Sequence, residues 1–277
     1  MLSLLFAGLV DVVFRLYARI DRSRGMYVLG IGVVWSVAQV LVVVASGEEL
    51  RLDARTVAFG LGAGLLIALA NLCLIESLTH MDVGLASIIY RLNTIGVVVL
   101  AAVLLAEPLT AAKVSGVLLG AIAAVLLYER TTAAAHQHLF ARYFWLAVLA
   151  SAMRAGFGIV AKSAELQGVD LRMLLLVVAP VWIFAGGAYA LLRERRLRLT
   201  RAKVKYSVVS GLLICGVVNF LALALKRGEA SVVVPIANMS FLVALLISVA
   251  MGMERLTRRK LLAVATTVMA IIVLAHA

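Results

Sequence analysis

Ten apolar stretches divide the sequence, at roughly 2–20, 27–46, 57–77, 84–105, 114–128, 144–161, 173–192, 206–225, 231–252 and 261–275. A helix needs about 20 mostly apolar residues to cross the hydrocarbon core of a bilayer. The fifth and tenth stretches are shorter, which suits helices close to the membrane normal or with snorkelling ends. Most connections are too short for anything but antiparallel neighbours, and no soluble domain fits between the helices. With 64% of residues hydrophobic and 14% charged, the chain carries more apolar surface than one water-soluble core of this length could bury. That excludes a soluble enzyme, a disordered chain and a disulfide-rich secreted domain. The fold class is therefore an all-α, multi-pass integral membrane protein.

A net charge of +12 would suggest nucleic acid in a soluble chain. Here the bases sit in short segments between apolar runs, with no basic stripe carrying interleaved aromatics, so the partner they imply is the lipid bilayer and not nucleic acid. With Arg15 and Arg19, at the end of the first span, counted with the loop that follows it, the odd-numbered loops hold 17 Lys and Arg and the even-numbered loops 7. The positive-inside rule places the odd loops, with the Arg193–Lys205 cluster, in the cytoplasm and both termini outside. Cys73 and Cys215 lie within apolar runs and read as buried small residues. The first run lacks a basic segment before it and reads as a first spanning helix rather than a removed leader.

The sequence also repeats itself. At an offset of 147 residues, Glu107-Pro-Leu-Thr-Ala-Ala-Lys113 overlays Glu254-Arg-Leu-Thr-Arg-Arg-Lys260, Gly64-Leu-Leu66 overlays Gly211-Leu-Leu213, Asp82 overlays Glu229, and Trp35 overlays Trp182. In the first helix of each half the offset is 143, pairing Phe14 with Phe157 and Asp11 with Arg154. The halves are residues 1–130 and 144–277, joined by a polar linker at 131–143. Each holds five spans, and an odd number turns the second copy upside down. The expected architecture is ten transmembrane helices in two inverted five-helix repeats, an arrangement typical of secondary transporters with a midplane substrate site.

Those repeated motifs carry a family resemblance. Asp82-Val-Gly-Leu-Ala-Ser87, Ala106-Glu107-Pro-Leu-Thr110 and Ser115-Gly116, echoed by Gly228-Glu-Ala-Ser-Val-Val-Val-Pro235 and Met253-Glu254-Arg-Leu-Thr257, resemble the EamA-type repeat of the drug/metabolite transporter superfamily. The resemblance covers essentially the whole chain. It departs from the pattern at Ala263, where the second copy lacks the usual glycine. It implies a ten-helix carrier of small metabolites, in bacteria usually in the inner membrane and often an exporter. It also implies termini on the inside, against the charge count.

Charged residues within the spans cost about 2.5–3.5 kcal/mol each even on lenient scales, so each needs a reason. Arg91, in Tyr90-Arg91-Leu92-Asn93, and Arg154 have no acid three or four residues away on their own helices. They read either as interhelical structural contacts or as anion ligands, a role that suits the planar guanidinium fork. Asp11 either pairs with Arg15 on its own helix, pairs with Arg154, or serves substrate or a proton. Asn71, Asn93, Asn219 and Asn238 read as interhelical glue, but Asn238 overlays Arg91, so one repeat position is polar in both halves. Trp35 and Trp182 are packing residues or apolar pocket walls. Glu107 and Glu254 each precede a helix start and suit a capping role. His136-Gln-His138 has no acid or cysteine beside it, so neither a metal nor another cofactor is expected. No nucleotide-binding loop or nucleophile motif is present, which leaves no nucleus for an enzyme.

The expected substrate site is thus Arg91, Arg154, Asp11, Tyr90, Asn93, Asn238, Trp35 and Trp182. The function expected is secondary transport of a small carboxylate-bearing or amino-acid-like metabolite across the bacterial inner membrane, coupled to an ion or proton gradient or to the substrate's own. Two alternatives stand beside it: a flippase of the same fold for a polyprenyl-phosphate-linked lipid, and a non-transporting membrane subunit.

Overall fold

The computed structural model describes residues 1–20, 24–47, 52–80, 89–127, 137–195, 197, 199–253 and 255–277, with no strand among them. Its helices are α1 (Leu2–Ile20), α2 (Gly25–Ala45), α3 (Ala54–His80), α4 (Asn93–Leu104), α5 (Ala111–Leu126), α6 (Gln137–Leu166), α7 (Leu171–Tyr189), α8 (Arg201–Leu225), α9 (Ala230–Asn238), α10 (Phe241–Ala250) and α11 (Arg258–Ala275). A five-residue π turn, Ala190–Glu194, extends α7. Six segments are long and apolar enough to cross a membrane: Gly25–Ala45, Ala54–Leu74, Ala141–Leu166, Leu171–Glu194, Arg201–Leu225 and Ala230–Ala250. Shorter apolar helices occupy Leu2–Phe14, Ile89–Leu104 and Ala111–Leu126. The sixth helix starts at Gln137, so the second half of the expected linker is already helical.

Helix starts are fixed by side-chain caps at matching repeat positions. Thr110, Thr200 and Thr257 each accept from the backbone N–H three residues on, that of Lys113, Lys203 and Lys260. Asp53, which the repeat pairs with Thr200, does the same for Thr56 at 2.7 Å. Each such cap satisfies one of the orphan donors of the first turn and is worth about 1 kcal/mol.

The chain divides into two compact units, one of residues 1–68 and 160–227, the other of 69–159 and 228–277. In the first, α2 packs on α7 and α8, and α1 on α8. Some of these contacts exchange under the 147-residue offset of the sequence. A Cβ on Gly64 would lie 2.8 Å from Val181, and one on Gly211 would lie 2.7 Å from Val34, and these two pairs exchange under the 147-residue offset. Gly60 against Val177 and Gly30 against Ser207 form a second such exchange. Small residues let the backbones approach where lipid supplies no hydrophobic drive for helix association. Trp35 and Trp182, themselves repeat mates, meet edge to face at 5.7 Å between ring centres.

At one end of this unit Asp170 caps α7, accepting from the N–H groups of Arg172 at 2.7 Å and Met173 at 3.3 Å, while Lys226 donates to its other oxygen at 2.9 Å. Burial pushes this carboxyl up, but the Lys226 hydrogen bond, the two backbone donors and the Lys226 charge together hold it below the usual carboxylate range. A depressed folded-state pKa stabilises above the ordinary value near 4 and ceases to do so as pH falls through the depressed one. Asp170→Asn keeps a capping oxygen and loses the charge. Its thermal midpoint at pH 7 is expected about 1–3 °C below wild type, as befits a half-exposed pair, and the gap closes in acid as pH falls through the depressed value. Thermal unfolding at both pH values measures it.

The second unit holds α4, α5, α9, α10 and α11 with the adjoining parts of α3 and α6. Here the structure corrects the expectation of continuous helices over 84–105 and 231–252. The first is interrupted at Leu92 and the second at Met239–Ser240, two points related by the 147-residue offset. Both breaks have the same bonding. Leu92 and Met239 donate to Ile89 O and Ile236 O, and Ile95 and Leu242 donate to Leu92 O and Met239 O, all three residues back rather than four. The cause is side chains inserted into the helical ladder. Thr94 Oγ1 donates to Arg91 O at 3.0 Å, and Arg91 Nη1 donates to Asn238 O at 3.1 Å. Those two carbonyls are the ones the amides of Ile95 and Leu242 would otherwise take.

Candidate functional site

The side chains at these two breaks form one polar cluster within the second unit. Arg154, on α6, donates from Nη1 to Tyr90 Oη at 2.9 Å and from Nη2 to Asn238 Oδ1 at 3.3 Å. Its guanidinium carbon also lies 4.9 Å from the centre of the Tyr90 ring. Arg91 stacks on Phe241 at 5.1 Å while holding Asn238 O. Asn238 Nδ2 in turn donates to Asn93 Oδ1 at 3.0 Å and Thr94 Oγ1 at 3.4 Å. Five of the eight residues expected from sequence, Tyr90, Arg91, Asn93, Arg154 and Asn238, are therefore brought together. Thr94, Phe241 and Met239 were missed. A Thr beside Asn93 was a readable signal, whereas nothing in the sequence marks Phe241 as an arginine's stacking partner.

The cluster has more donors than acceptors. Arg154 offers five N–H groups, and its acceptors among the described residues are a phenol and an amide, with no carboxylate. Asn93 is 1% exposed, and its Nδ2 has no hydrogen-bond partner. A buried unsatisfied donor costs about 1–3 kcal/mol, and a buried charge without a counter-charge more. Beside the cluster lies a cavity of about 20 Å³ whose walls include Arg91, Thr94, Gly120, Asn238, Met239 and Phe241. That is room for one or two water molecules, so a metabolite enters only if the walls move. Asn238 ends α9 at the break, on the wall best placed to do so.

The other three expected residues lie in the first unit. Trp35 and Trp182 are 1% and 6% exposed, and both indole N–H groups are buried without a hydrogen-bond partner. Asp11 is half-buried on α1; the side chain of Arg15, its expected intrahelical partner, lies outside the described residues, as do His136 and Glu254. Asn219 fulfils its expected interhelical role by donating to Gln39 Oε1 at 2.7 Å, with Gln39 Nε2 returning to Asn219 Oδ1 at 3.3 Å and to Arg172 O at 3.2 Å. Gln39, fully buried mid-span, went unread in the sequence.

Glu107 departs from the expected capping of its own helix, where Thr110 takes that role. Its carboxylate instead accepts from the N–H groups of Ala230 at 2.8 Å and Ser231 at 2.9 Å and from the Ser231 hydroxyl, so it caps α9. Lys113 pairs with Glu229 one residue before that start and donates to Pro108 O at 2.8 Å. The motif of the first half thus anchors the broken helix of the second.

Residues 1–129 match the profile of the EamA-like transporter family. No curated protein sequence matches the chain. Among solved structures, one described only as the crystal structure of a protein superposes with a TM-score of 0.81 at 15% identity, covering 98% of this chain and 96% of that one. Identity that low speaks for the fold alone.

Proposed function

We propose that this chain, whose residues 1–129 match the EamA-like transporter family of the drug/metabolite transporter superfamily, is a secondary transporter carrying a small carboxylate-bearing, amino-acid-like metabolite across the bacterial inner membrane. The observation that carries the substrate class is Arg154, a half-buried guanidinium whose acceptors among the described residues are both neutral. A carboxylate supplies what the cluster lacks: two acceptor oxygens in the plane of the fork and a compensating charge. Asn93 Nδ2 supplies a further donor.

Asn238 occupies the positions at which a substrate carboxylate would meet the two arginines. Its side-chain oxygen occupies Arg154 and its backbone oxygen occupies Arg91. An incoming carboxylate competes for both guanidiniums, releases Asn238, and frees the α9–α10 elbow to move. Binding energy is thereby turned into a shift between conformations, as alternating access requires. The reciprocal Gly64–Val181 and Gly211–Val34 contacts and the paired breaks at Leu92 and Met239 support two inverted five-helix repeats. Asp11, in the first unit, serves as the proton- or ion-coupling acid, and Trp35 and Trp182 pack against each other in that same unit. With no nucleotide site in the sequence, a gradient drives the cycle.

The test is thermal unfolding of the purified protein against carboxylates, amino acids, organic cations and polyprenyl phosphates. A ligand at 100 times its Kd stabilises by about 2.7 kcal/mol, or roughly 5–10 °C for a chain of this size. Stabilisation by carboxylates or amino acids is expected. Stabilisation by cations alone overturns the assignment, and stabilisation by lipid phosphates alone turns the reading to a flippase.

A further inference from the structure

Two segments of the sequence concentrate positive charge. The segments 15–25 and 193–205 together hold eleven of the chain's 26 bases and only two acids, a net +9 out of +12. The fold brings the start of α2 and the end of α7 together. Glu194 accepts from the N–H groups of Arg24 and Gly25, and Gly25 lies so close to the π turn that a Cβ there would sit 2.5 Å from Ala190 N. The chain then leaves the helix through Arg195, whose φ of 50° places a non-glycine residue in the left-handed region. Such a residue, directly after a π turn, is an uncommon conformation that recurs at functional positions.

From Arg195 to Lys205 the chain alternates two chemistries. Leu197 and Leu199 are exposed, as are Arg195, Arg201 and Lys205. Among the described residues no carboxylate pairs with these three bases. Leu199, Arg201, Val204 and Lys205 line an open cleft. Exposed leucines spaced between unpaired bases, at the end of a spanning helix, suit a ligand that presents a phosphate and an acyl chain side by side. A soluble anion offers only the first of these. Arginine and lysine stems lie along apolar surface while their heads reach the phosphate plane.

We propose that Arg195, Arg201 and Lys205, with Leu197, Leu199 and Val204, form a site for an anionic glycerophospholipid, whose headgroup phosphate meets the bases and whose acyl chain meets the leucines. The site lies in the first unit and does not depend on the identity of the transported substrate. Anionic lipid enriched at a cytoplasmic face would bind and hold this end of the protein there, the side to which the loop charges assign it.

The experiment compares phosphatidylglycerol, phosphatidylcholine and inorganic phosphate as additions to the delipidated protein, read by thermal midpoint and by native mass spectrometry of retained lipid. Phosphatidylglycerol is expected to raise the midpoint by several degrees and to remain as a discrete adduct, with phosphatidylcholine and inorganic phosphate doing neither. In Arg195→Gln/Arg201→Gln/Lys205→Gln its apparent affinity is expected to fall at least tenfold. Lys205→Gln alone, read by adduct retention, should show a smaller loss in the same direction should the triple variant fold poorly. Equal stabilisation by inorganic phosphate, equal retention of phosphatidylcholine, or an unchanged phosphatidylglycerol affinity in these variants would each overturn the proposal.

Discussion

Arg154→Gln is expected to abolish saturable binding of the anionic substrate and to leave the ligand-free protein at least as stable as wild type. The two effects share one cause. The guanidinium faces Tyr90 and Asn238, both neutral, so it bears a desolvation cost that no carboxylate among the described residues offsets. A neutral glutamine removes that cost and retains one donor for Tyr90. In the bound state the same guanidinium makes a charge-assisted fork with the carboxylate, and truncating one partner of such a pair costs about 2–5 kcal/mol, or roughly 30- to 5,000-fold in Kd. Arg154→Lys keeps the charge but not the fork, and falls between the two. A merely structural arginine gives the opposite pattern, with a lowered thermal midpoint and unchanged affinity. Calorimetric titration paired with thermal unfolding separates these cases.

Asn238 yields a sharper contrast because two substitutions at one position push in opposite directions. Asn238→Asp places a resident carboxylate on Arg154, where the Asn238 Oδ1 now accepts. It is expected to raise the thermal midpoint and to eliminate anion binding, the variant being in effect already occupied. Asn238→Ala removes the side-chain oxygen that competes with substrate for Arg154. One neutral hydrogen bond is worth about 0.5–1.5 kcal/mol, so affinity is expected to rise by roughly 2- to 10-fold. Turnover in Asn238→Ala should fall, since the exchange that couples binding to the α9–α10 elbow is lost. A weaker Kd in Asn238→Ala would mean that the amide ligates substrate directly and does not compete with it. These affinities are measured on the same preparations as the thermal midpoints.

Much of this architecture is legible in the amino-acid sequence alone. The spacing of apolar runs locates the helices, because a bilayer imposes length and composition on each one independently of its neighbours. The repeated Glu-x-Leu-Thr-x-x-Lys exposes the duplication and so points to Trp35 with Trp182 and to Arg91 with Asn238, pairs that do meet. The breaks at Leu92 and Met239 were not readable. Their cause is not a local breaker but two carbonyls taken by side chains, one of them from another helix. Pro235 lies within α9 and does not end it. Glu107 was misassigned for a related reason. Capping read along the chain favours the nearest helix start, and here the carboxylate caps one 123 residues away.

Arg154, with no acidic partner among the described residues, is proposed to bind a substrate anion, and uptake into proteoliposomes tests this most directly. Wild-type protein and Arg154→Gln would be reconstituted side by side and assayed with the carboxylate or amino acid that best stabilises the wild type. Saturable, competable uptake by wild type and background uptake by Arg154→Gln are expected, with both proteins folded and inserted to the same extent. Equal uptake by the two would contradict the claim.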